Sequence, residues 1–499
     1  MSAESPLRSV HTRTAPGPAP NGLGTGLFAS EDIRTGEDVL NISTPFVAVL
    51  DTPRLSDTCS GCFGKRQLNA GADLDLRACT ACQVVKYCDR SCQAKDWKFS
   101  HSHECRIFKE LSPRVLPNNA RAMLRMILRS AKKKYNTQEI DLFLQLQTHI
   151  RDIRERNTAQ WDRISLSAKA VKMYSGIDMK EEIISAFGAK LDLNAFNLTN
   201  PLYDRIGLYL HPYAALINHS CDYNSTVGFD GDELFVKAVR PIKKDEQIFI
   251  SYIDATSPYD VRRKELSERY YFDCQCPKCF KGIDTPEDKF LMTTHGSAAL
   301  ASAETKAQAF IESASAPDCE PTDAVHKLES AMQVLDQTSA WPISRQPYIS
   351  LRDELIASLL SSGRFKTAFV QAAIRYIRVD SKVYPYDSHP IRQVHAWALA
   401  KLAIHLSQGM DTNSDDDVAL ERFEFNFSLI IWSLLNGLVN TESESCTVPS
   451  FKRMVRLAFY EVHKEFVANG LDPSNMGDEI KREWEKMEGV VSATLERKS

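Results

Sequence analysis

Twelve residues of this 499-residue chain combine the side-chain types and spacing of metal ligands. Eleven of its thirteen cysteines fall in closely spaced groups, and His101 lies four residues before Cys105. Cysteines separated by two or three residues can bind one ion, because the intervening turn brings both sulfurs together. Twelve ligands are enough for three tetrahedral zinc sites. Only Cys319 and Cys446 are left over, and we interpret them as incidental residues in polar surroundings.

Eight of these ligands follow one another between residues 59 and 105. They occur as Cys59-x2-Cys62, Cys79-x2-Cys82, Cys88-x3-Cys92 and His101-x3-Cys105. Such a short stretch has too small a core to fold without metal. His103 competes with His101 as the eighth ligand, although the spacing to Cys105 favours His101. The other four ligands are Cys274, Cys276 and Cys279, a triplet that lacks a fourth ligand, and Cys221, which can supply it.

A second group of polar residues forms the motif Asn218-His219-Ser220-Cys221, and Ile250-Ser251-Tyr252 follows further along the chain. Short apolar or alternating runs surround both motifs. Residues 206–210 favour a strand or a short buried helix, and residues 226–229, 234–239 and 247–252 favour strands. The sequence therefore predicts one small β unit that carries both motifs.

These motifs, together with the cysteine-rich region, resemble the SET domain of protein lysine methyltransferases and in particular the SET-and-MYND (SMYD) family. The resemblance covers roughly residues 20 to 280 by motif. It implies S-adenosylmethionine (SAM) as cofactor, three structural zinc ions and a MYND zinc finger. Ligation in the family's finger is interleaved, which implies one ion on Cys59, Cys62, Cys88 and Cys92 and another on Cys79, Cys82, His101 and Cys105.

The resemblance also implies the residues of a methyl-transfer site. Tyr252 is expected beside the reacting nitrogen, with Phe196 and Tyr270 as further catalytic aromatics. Aromatic walls exclude water yet tolerate a cationic lysine, although each aromatic taken alone could equally be core. Leu23 stands where the family often has a basic residue. The implied cofactor contacts are Gly24, Thr25, Gly26, Leu27, Asn194, Asn218, His219, Tyr252, Tyr270 and Phe272.

Positioning these residues requires an α+β fold in which a β-rich SET domain contains an inserted finger and a helical insert. From about residue 287, strand signals vanish and helical spacing takes over, as at Leu351, Leu355 and Leu359. The predicted organisation is a disordered N-terminus at 1–20, the first SET part at 21–56, the MYND finger at 57–106, a helical insert at 107–186, the SET core at 187–256, a post-SET segment at 257–285 and a helical domain similar to tetratricopeptide repeats at 286–499.

Composition limits the partners of the chain. A net charge of −4 argues against a general nucleic-acid-binding surface, and 43% hydrophobic residues are ordinary for a globular protein. No apolar run approaches the roughly 20 residues of a membrane span, and no secretory signal is recognisable. We therefore expect no membrane association and a monomer in the nucleus or cytoplasm, whose substrate is a histone or other protein with a target lysine.

Two functions compete with the enzyme. One is a peptide-binding adaptor in transcriptional regulation whose SET core no longer catalyses and whose finger binds proline-rich peptides. The other is sequence-specific DNA binding, which we do not expect because the finger lacks a groove-reading helix. Basic residues on the finger are interpreted as a solvated face, and the alternative is a patch that contacts an acidic peptide or DNA phosphate. The lysine run at 132–134 is interpreted as a solvated helix end. The basic residues of the finger are Lys86, Arg90, Lys95, Lys98 and Arg106.

Overall fold

The computed structural model describes residues 9–20, 24–70, 74–285, 288–290, 297–316, 318–409, 420 and 422–496. It divides into two compact units, which are treated separately below. The first unit comprises Met1–Ile253, Arg263–Cys274 and Cys446–Phe451, and the second comprises Asp254–Arg262, Gln275–Ser445 and Lys452–Ser499.

All strands of the described residues lie in the first unit, and all are short. They are β1 (Val10–Thr12), β2 (Thr14–Pro18), β3 (Thr25–Ala29), β4 (Asp38–Ile42), β5 (Val47–Leu50), β6 (Arg77–Ala78), β7 (Lys86–Tyr87), β8 (Phe196–Thr199), β9 (Arg205–Leu210), β10 (Asn218–His219), β11 (Ser225–Asp230), β12 (Glu233–Ala238) and β13 (Phe249–Ile250). The apolar runs at 226–229 and 234–239 thus form strands, as predicted, and the run at 206–210 forms a strand rather than a short helix.

Two sheets provide the framework of this unit. One has the order β1-β4-β12-β11 and the other β5-β9-β8, and every pairing in both is antiparallel. In the first sheet, Leu40 lies opposite Val236 and Ile42 opposite Leu234, and all four side chains are buried. Cross-strand apolar pairs of this kind are the main source of sheet stability. Three two-stranded pairs complete the β structure, namely β2-β3, β6-β7 and β10-β13.

The N-terminal segment corrects one prediction. Disorder was expected over residues 1–20, but residues 9–20 contain β1 and β2, so the prediction was wrong there. Pairing with β3 overrides the loop-like composition, since Thr14 lies opposite Ala29 and Pro18 opposite Thr25. Prolines are compatible with β2 because it is an edge strand. Residues 1–8 lie outside the described residues.

Helices fill the predicted insert between the finger and the SET core. Helix α4 (Asn118–Ala131) is buried continuously from Ala120 to Arg129. Gly188 of α8 (Glu181–Asn194) allows close packing, since a Cβ there would lie 2.9 Å from Met123. The helices of this unit up to residue 194 are α1 (Lys65–Ala70), α2 (Arg90–Asp96), α3 (Ser102–Leu111), α4 (Asn118–Ala131), α5 (Thr137–Gln145), α6 (Ile150–Arg156), α7 (Thr158–Ser175) and α8 (Glu181–Asn194).

A buried ion pair joins the finger to the SET strands. Arg125 of α4 donates to both carboxylate oxygens of Glu104 in α3, each over 2.7 Å, and to the carbonyl of Ala48 in β5 over 2.8 Å. Although burial opposes ionisation, Arg125 holds the pKa of Glu104 below its ordinary value. The pair therefore stays charged, and it fixes α3, α4 and β5 relative to one another.

A short C-terminal segment also belongs to the first unit and corrects the interpretation of Cys446. That cysteine was expected in polar surroundings, but it is buried, and its thiol lies 3.2 Å from the carbonyl of Ala238. Nearby, the hydroxyl of Ser450 donates to Asp230 over 2.6 Å. Because these contacts span more than 200 residues of sequence, local composition could not predict them.

The remaining structure is helical, and the described residues of the second unit contain no strand. Consecutive helices pack against one another along the chain. The helices after residue 253 are Tyr259–Glu265, Pro277–Phe280, Ser297–Ala314, Pro321–Asp336, Tyr348–Ser361, Phe365–Ile374, Asp380–Val383, Pro390–Ser407, Phe427–Asn440, Pro449–Ala468 and Gly477–Glu496. Short 3₁₀ or π turns occur in both units, at Pro53–Leu55, Trp97–His101, Ala214–Leu216, Leu266–Tyr270, Arg375–Val379 and Pro473–Asn475. The α+β fold class is confirmed.

None of the helices that the structure describes is long and apolar enough to cross a membrane.

Candidate methyl-transfer site and metal centres

The two polar motifs predicted from the sequence lie side by side. Strands β10 and β13 pair in parallel, with Asn218 opposite Phe249 and His219 opposite Ile250. The amide of Ser220 then donates to the carbonyl of Ile250 over 3.0 Å. The prediction of one small β unit carrying both motifs is confirmed.

His219 has a defined tautomer. Its Nδ1 lies 3.0 Å from the backbone nitrogen of Tyr252, and since a backbone N–H can only donate, Nδ1 must be the acceptor. The proton of a neutral ring then resides on Nε2, which lies 3.3 Å from the sulfur of Cys221. His219 is buried, so its two bonds hold the Tyr252 segment in place relative to Cys221.

Tyr252 presents a hydroxyl that remains protonated. The hydroxyl donates to the carbonyl oxygen of Ile217 over 2.6 Å. Burial, with a smaller contribution from Tyr270, raises the pKa of Tyr252 well above its ordinary value. The ring of Tyr270 lies 5.1 Å from that of Tyr252, and its own hydroxyl donates to the Tyr252 carbonyl over 3.2 Å. The Ile217 carbonyl was not predicted, because a backbone oxygen has no sequence signal.

Neighbouring residues of the aromatic run at 270–272 contact different segments of the first unit. The ring of Phe272 lies 5.9 Å from that of His219. Tyr271, which was not among the predicted residues, stacks on His149 at 5.5 Å and donates to Gln160 over 2.7 Å. Its neighbours in the Tyr-Tyr-Phe run were the available signal for Tyr271, whereas nothing in the sequence marked His149.

The glycine-rich loop lies against Asn218. A Cβ on Gly26 would lie 2.4 Å from Nε2 of Gln247 and 3.0 Å from Nδ2 of Asn218, so a larger residue there would have to displace these side-chain amides. Gly24 has a positive φ of 70°, and a Cβ there would meet no described atom within 4 Å. The side chain of Asn218 also donates to the carbonyl of Thr25 over 3.4 Å. The backbone here is therefore open to a ligand.

The same loop is tied to the strand segment before Tyr252. Leu27 has a fully buried side chain, and its carbonyl accepts from the amide of Ile248 over 2.8 Å. The buried Asn224, which sequence reasoning missed, donates to the carbonyl of Gln247 and accepts from the amide of Phe249, each over 2.8 Å. Its position three residues after Cys221 was the only available signal. Leu23 lies outside the described residues.

Asn194 and Phe196 lie at the end of α8 and in β8, and not on the β10–β13 pair. The side chain of Asn194 donates to the carbonyl of Lys190 over 2.7 Å. Phe196 pairs with Tyr209 of β9 and lines a cleft of about 820 Å³ that also includes Asp192. Among the predicted site residues, Phe196 is the only one in the lining of this cleft.

Three groups of cysteine and histidine side chains have the composition of zinc sites. In each group the four candidate ligand atoms lie within 4.8 Å of one another, and His101 rather than His103 completes the second group. The groups are Cys59, Cys62, Cys88 and Cys92; Cys79, Cys82, His101 and Cys105; and Cys221, Cys274, Cys276 and Cys279.

The distances within the finger fit tetrahedral zinc. With Zn–S bonds of about 2.3 Å, the edge of a tetrahedron between two sulfurs is about 3.8 Å. The sulfurs of Cys62 and Cys88 are 3.7 Å apart, and those of Cys79 and Cys105 are 3.8 Å apart. Both distances are far longer than a disulfide bond of about 2.05 Å. All twelve residues can therefore serve as thiolate or imidazole ligands.

Comparison with known proteins finds sequences similar to the part of the chain that contains the site. Residues 24–253 match the family model of the SET domain. The chain is 31% identical over 266 residues to the SET domain and MYND-type zinc finger protein 6 of Schizosaccharomyces pombe, which covers 53% of this chain and 52% of that protein. It is 30% identical over 266 residues to the histone-lysine N-methyltransferase ASHR1 of Arabidopsis thaliana, covering 51% of this chain and 53% of that protein.

A longer match extends into the helical part. The histone-lysine N-methyltransferase SMYD3 of Mus musculus is 26% identical over 397 residues, covering 78% of this chain and 87% of that protein. The chain spans about half the length of the first two relatives.

Proposed function

We propose that the chain is a SAM-dependent protein lysine N-methyltransferase, because residues 24–253 match the family model of the SET domain and the chain is similar to a SET and MYND protein. One observation carries the proposal. The parallel β10–β13 pair brings Asn218 and His219 to Tyr252, beside the closely packed Gly26 and the open backbone at Gly24. Two relatives have histone-lysine N-methyltransferase as their name.

The residues around this pair fit the cofactor. SAM supplies an activated methyl group on a sulfonium. The open backbone of the glycine loop leaves space for a bound molecule, and the amide of Asn218 lies at its edge. The proposed cofactor contacts are Gly24, Thr25, Gly26, Leu27, Asn194, Asn218, His219, Tyr252, Tyr270 and Phe272.

The chain's own part in the reaction is to prepare the lysine. A lysine has a pKa of about 10.4 in water, and it must lose its proton before it can act as a nucleophile. An apolar, aromatic channel disfavours the ammonium form and so lowers that pKa. We assign this environment to Phe196, Tyr252 and Tyr270. The Tyr252 hydroxyl and the Ile217 carbonyl, 2.6 Å apart, provide two polar oxygens that orient the amine.

The proposal extends to partners and metals. The substrate is a protein with an accessible lysine, a histone or another protein, and the nucleus and the cytoplasm are both proposed locations. Three structural zinc ions are assigned to the three ligand groups. Proline-rich peptides are a proposed ligand of the finger, and the protein is proposed to be a monomer.

Calorimetry tests the proposal directly. SAM and S-adenosylhomocysteine are titrated into the zinc-loaded protein, into Asn218→Ala and into Asn197→Ala, an exposed asparagine on β8. We expect micromolar binding by the wild type and by Asn197→Ala, and at least a tenfold loss for Asn218→Ala, because one directed polar contact contributes about 1.5 kcal/mol or more.

The opposite result would support the rival function. If folded protein with three bound zinc ions binds neither compound, the methyltransferase proposal is wrong. The chain would then be an adaptor, and peptide ligands of the finger and the helical region would be the next target.

A further inference from the structure

Three arginines form a buried column on α4. Arg121, Arg125 and Arg129 follow one another at intervals of four residues, and each is more than nine-tenths buried. Like charges at this spacing on a helix repel one another. Arg125 is neutralised by Glu104, whereas Arg121 donates to the carbonyls of Leu116 and Leu50 over 2.9 and 2.7 Å. The column therefore carries more positive charge than its carboxylate partners balance.

Arg129, like Arg121, forms no ion pair with a described carboxylate. Its Nη1 donates to the carbonyl of Phe99. Its guanidinium carbon lies 3.9 Å from the ring of Phe99 and 4.7 Å from that of Tyr135. Its Nε is buried and has no hydrogen-bond partner among the described atoms. A buried cation with an unused donor is costly unless an anion binds to it.

A cleft of about 410 Å³ opens onto this guanidinium. Its lining includes Ser60 from the finger, whose hydroxyl is likewise buried and unpartnered within the described structure. Lys98 and Lys134 also line the cleft, and both are exposed. Neither lysine forms an ion pair with any described residue. The cleft thus brings together three cations that form no described ion pair and one hydroxyl without a described partner, beside the paired Lys95 and Arg125.

The acidic side chains in the lining are already engaged. Asp232 forms an ion pair with Lys95 at 2.6 Å. Asp96 accepts a hydrogen bond from Tyr87 over 2.7 Å and lies 3.7 Å from Arg125. These two carboxylates are therefore engaged with partners other than Arg129, Lys98 and Lys134.

Two basic features of the sequence meet at this cleft. Lys98 belongs to the basic patch of the finger, and Lys134 ends the lysine run after α4. Two other patch residues are engaged elsewhere, since Lys86 donates to the carbonyl of Ser56 and Arg106 pairs with Glu110. The interpretation of the basic residues as a solvated face agrees with the exposed position of Arg106. It is incomplete for Lys98, because Lys98 also lines the cleft.

We propose that this cleft binds a phosphate monoester, carried by a phosphorylated amino-acid side chain or by a small phosphorylated molecule. A dianion with several acceptor oxygens matches three cations and a hydroxyl better than a carboxylate with one charge does. The volume suits a single small group rather than a nucleic-acid duplex. The site contains none of the residues assigned to SAM or zinc, so it is separate from the proposed reaction.

The test is calorimetry on the full, zinc-loaded chain with four probes: inorganic phosphate, a short phosphoserine peptide, the same peptide without phosphate, and duplex DNA. Variant Lys98→Ala/Lys134→Ala removes the two exposed cations without disturbing the packing of Arg129 on Phe99 and Tyr135. Variant Lys109→Ala/Lys132→Ala is the control, because it removes the same charge from exposed positions outside the cleft lining.

We expect phosphate-dependent binding that falls at least tenfold in the cleft variant, stays unchanged in the control and weakens with added salt. Equal affinity for inorganic phosphate and the phosphopeptide assigns a free phosphate compound as the source, whereas binding of the peptide alone assigns a modified side chain. Three results overturn the proposal: no binding of either phosphate probe, the same affinity in both variants, or tighter binding of the duplex.

Discussion

The zinc finger and the β10–β13 pair reach ordered structure by different routes. In the finger, eight ligands lie within residues 59–105, and four residues at short spacing surround each proposed ion. In the β10–β13 pair, Asn218 lies opposite Phe249, and Gly26 packs against Gln247. Long stretches of sequence separate the two members of each contact. The finger therefore depends on metal, whereas the β pair depends on backbone hydrogen bonds and close packing. Four predictions test this difference.

Loss of one finger ligand should have the largest effect, because structural zinc contributes about 10–16 kcal/mol to the folding of small fingers. Replacement Cys82→Ser should lower the zinc content from three ions per chain to two and unfold the finger. Cys319→Ala, outside the three groups, should keep three ions. Mass spectrometry of metal content and tryptophan fluorescence measure both. Three ions in Cys82→Ser would show that this cysteine is not a ligand.

The buried Glu104–Arg125 pair tests whether the finger also depends on packing. Glu104→Gln leaves Arg125 buried without its carboxylate, so we expect a loss of about 3–5 kcal/mol in the free energy of unfolding. Glu110→Gln is the matched control on the same helix, since Glu110 pairs with Arg106 at the exposed surface and should change stability little. Urea unfolding compares them, and equal losses would contradict the role assigned to the buried pair.

Tyr252 tests whether the β pair is a reaction site rather than only a structural feature. Tyr252→Phe removes the hydroxyl that lies 2.6 Å from the Ile217 carbonyl. We expect methyl transfer to fall roughly 10²-fold to 10³-fold, as for loss of other preorganised hydrogen-bond donors, with little change in melting temperature. Tyr460→Phe, at an exposed tyrosine, is the control. Full activity in Tyr252→Phe would remove this residue from the proposed mechanism.

The glycine loop should show the smallest effect. A Cβ at Gly26 would lie 2.4 Å from Gln247, so Gly26→Ala should cost about 1–3 kcal/mol of stability and weaken SAM binding. Gly437→Ala meets no atom within 4 Å in its helix and should stabilise the chain by up to about 1 kcal/mol. Thermal unfolding with and without SAM measures both. Unchanged stability and binding in Gly26→Ala would contradict the close packing described here.

Prediction from sequence was most successful where the signal was local. The SET and MYND resemblance, the α+β class and the strand at residues 233–238 were confirmed. Disorder at residues 9–20 was wrong because β2 obtains its hydrogen bonds from β3, which composition does not reveal. Asn224 and Gln247 were missed for a similar reason, since their roles arise only when residues 24–27 meet residues 247–249.

The sequence by itself identified the candidate metal ligands, because thiolates at short spacing are typical of zinc sites, and the family resemblance implied how the finger ligands are grouped. It also determined the helical second unit, whose apolar periodicity is local. Only the tertiary structure decided which backbone atoms face Tyr252, and only it showed the unpaired charge of Arg129. Both features depend on distant segments meeting in one register, and the spacing of residues along the chain does not encode that register.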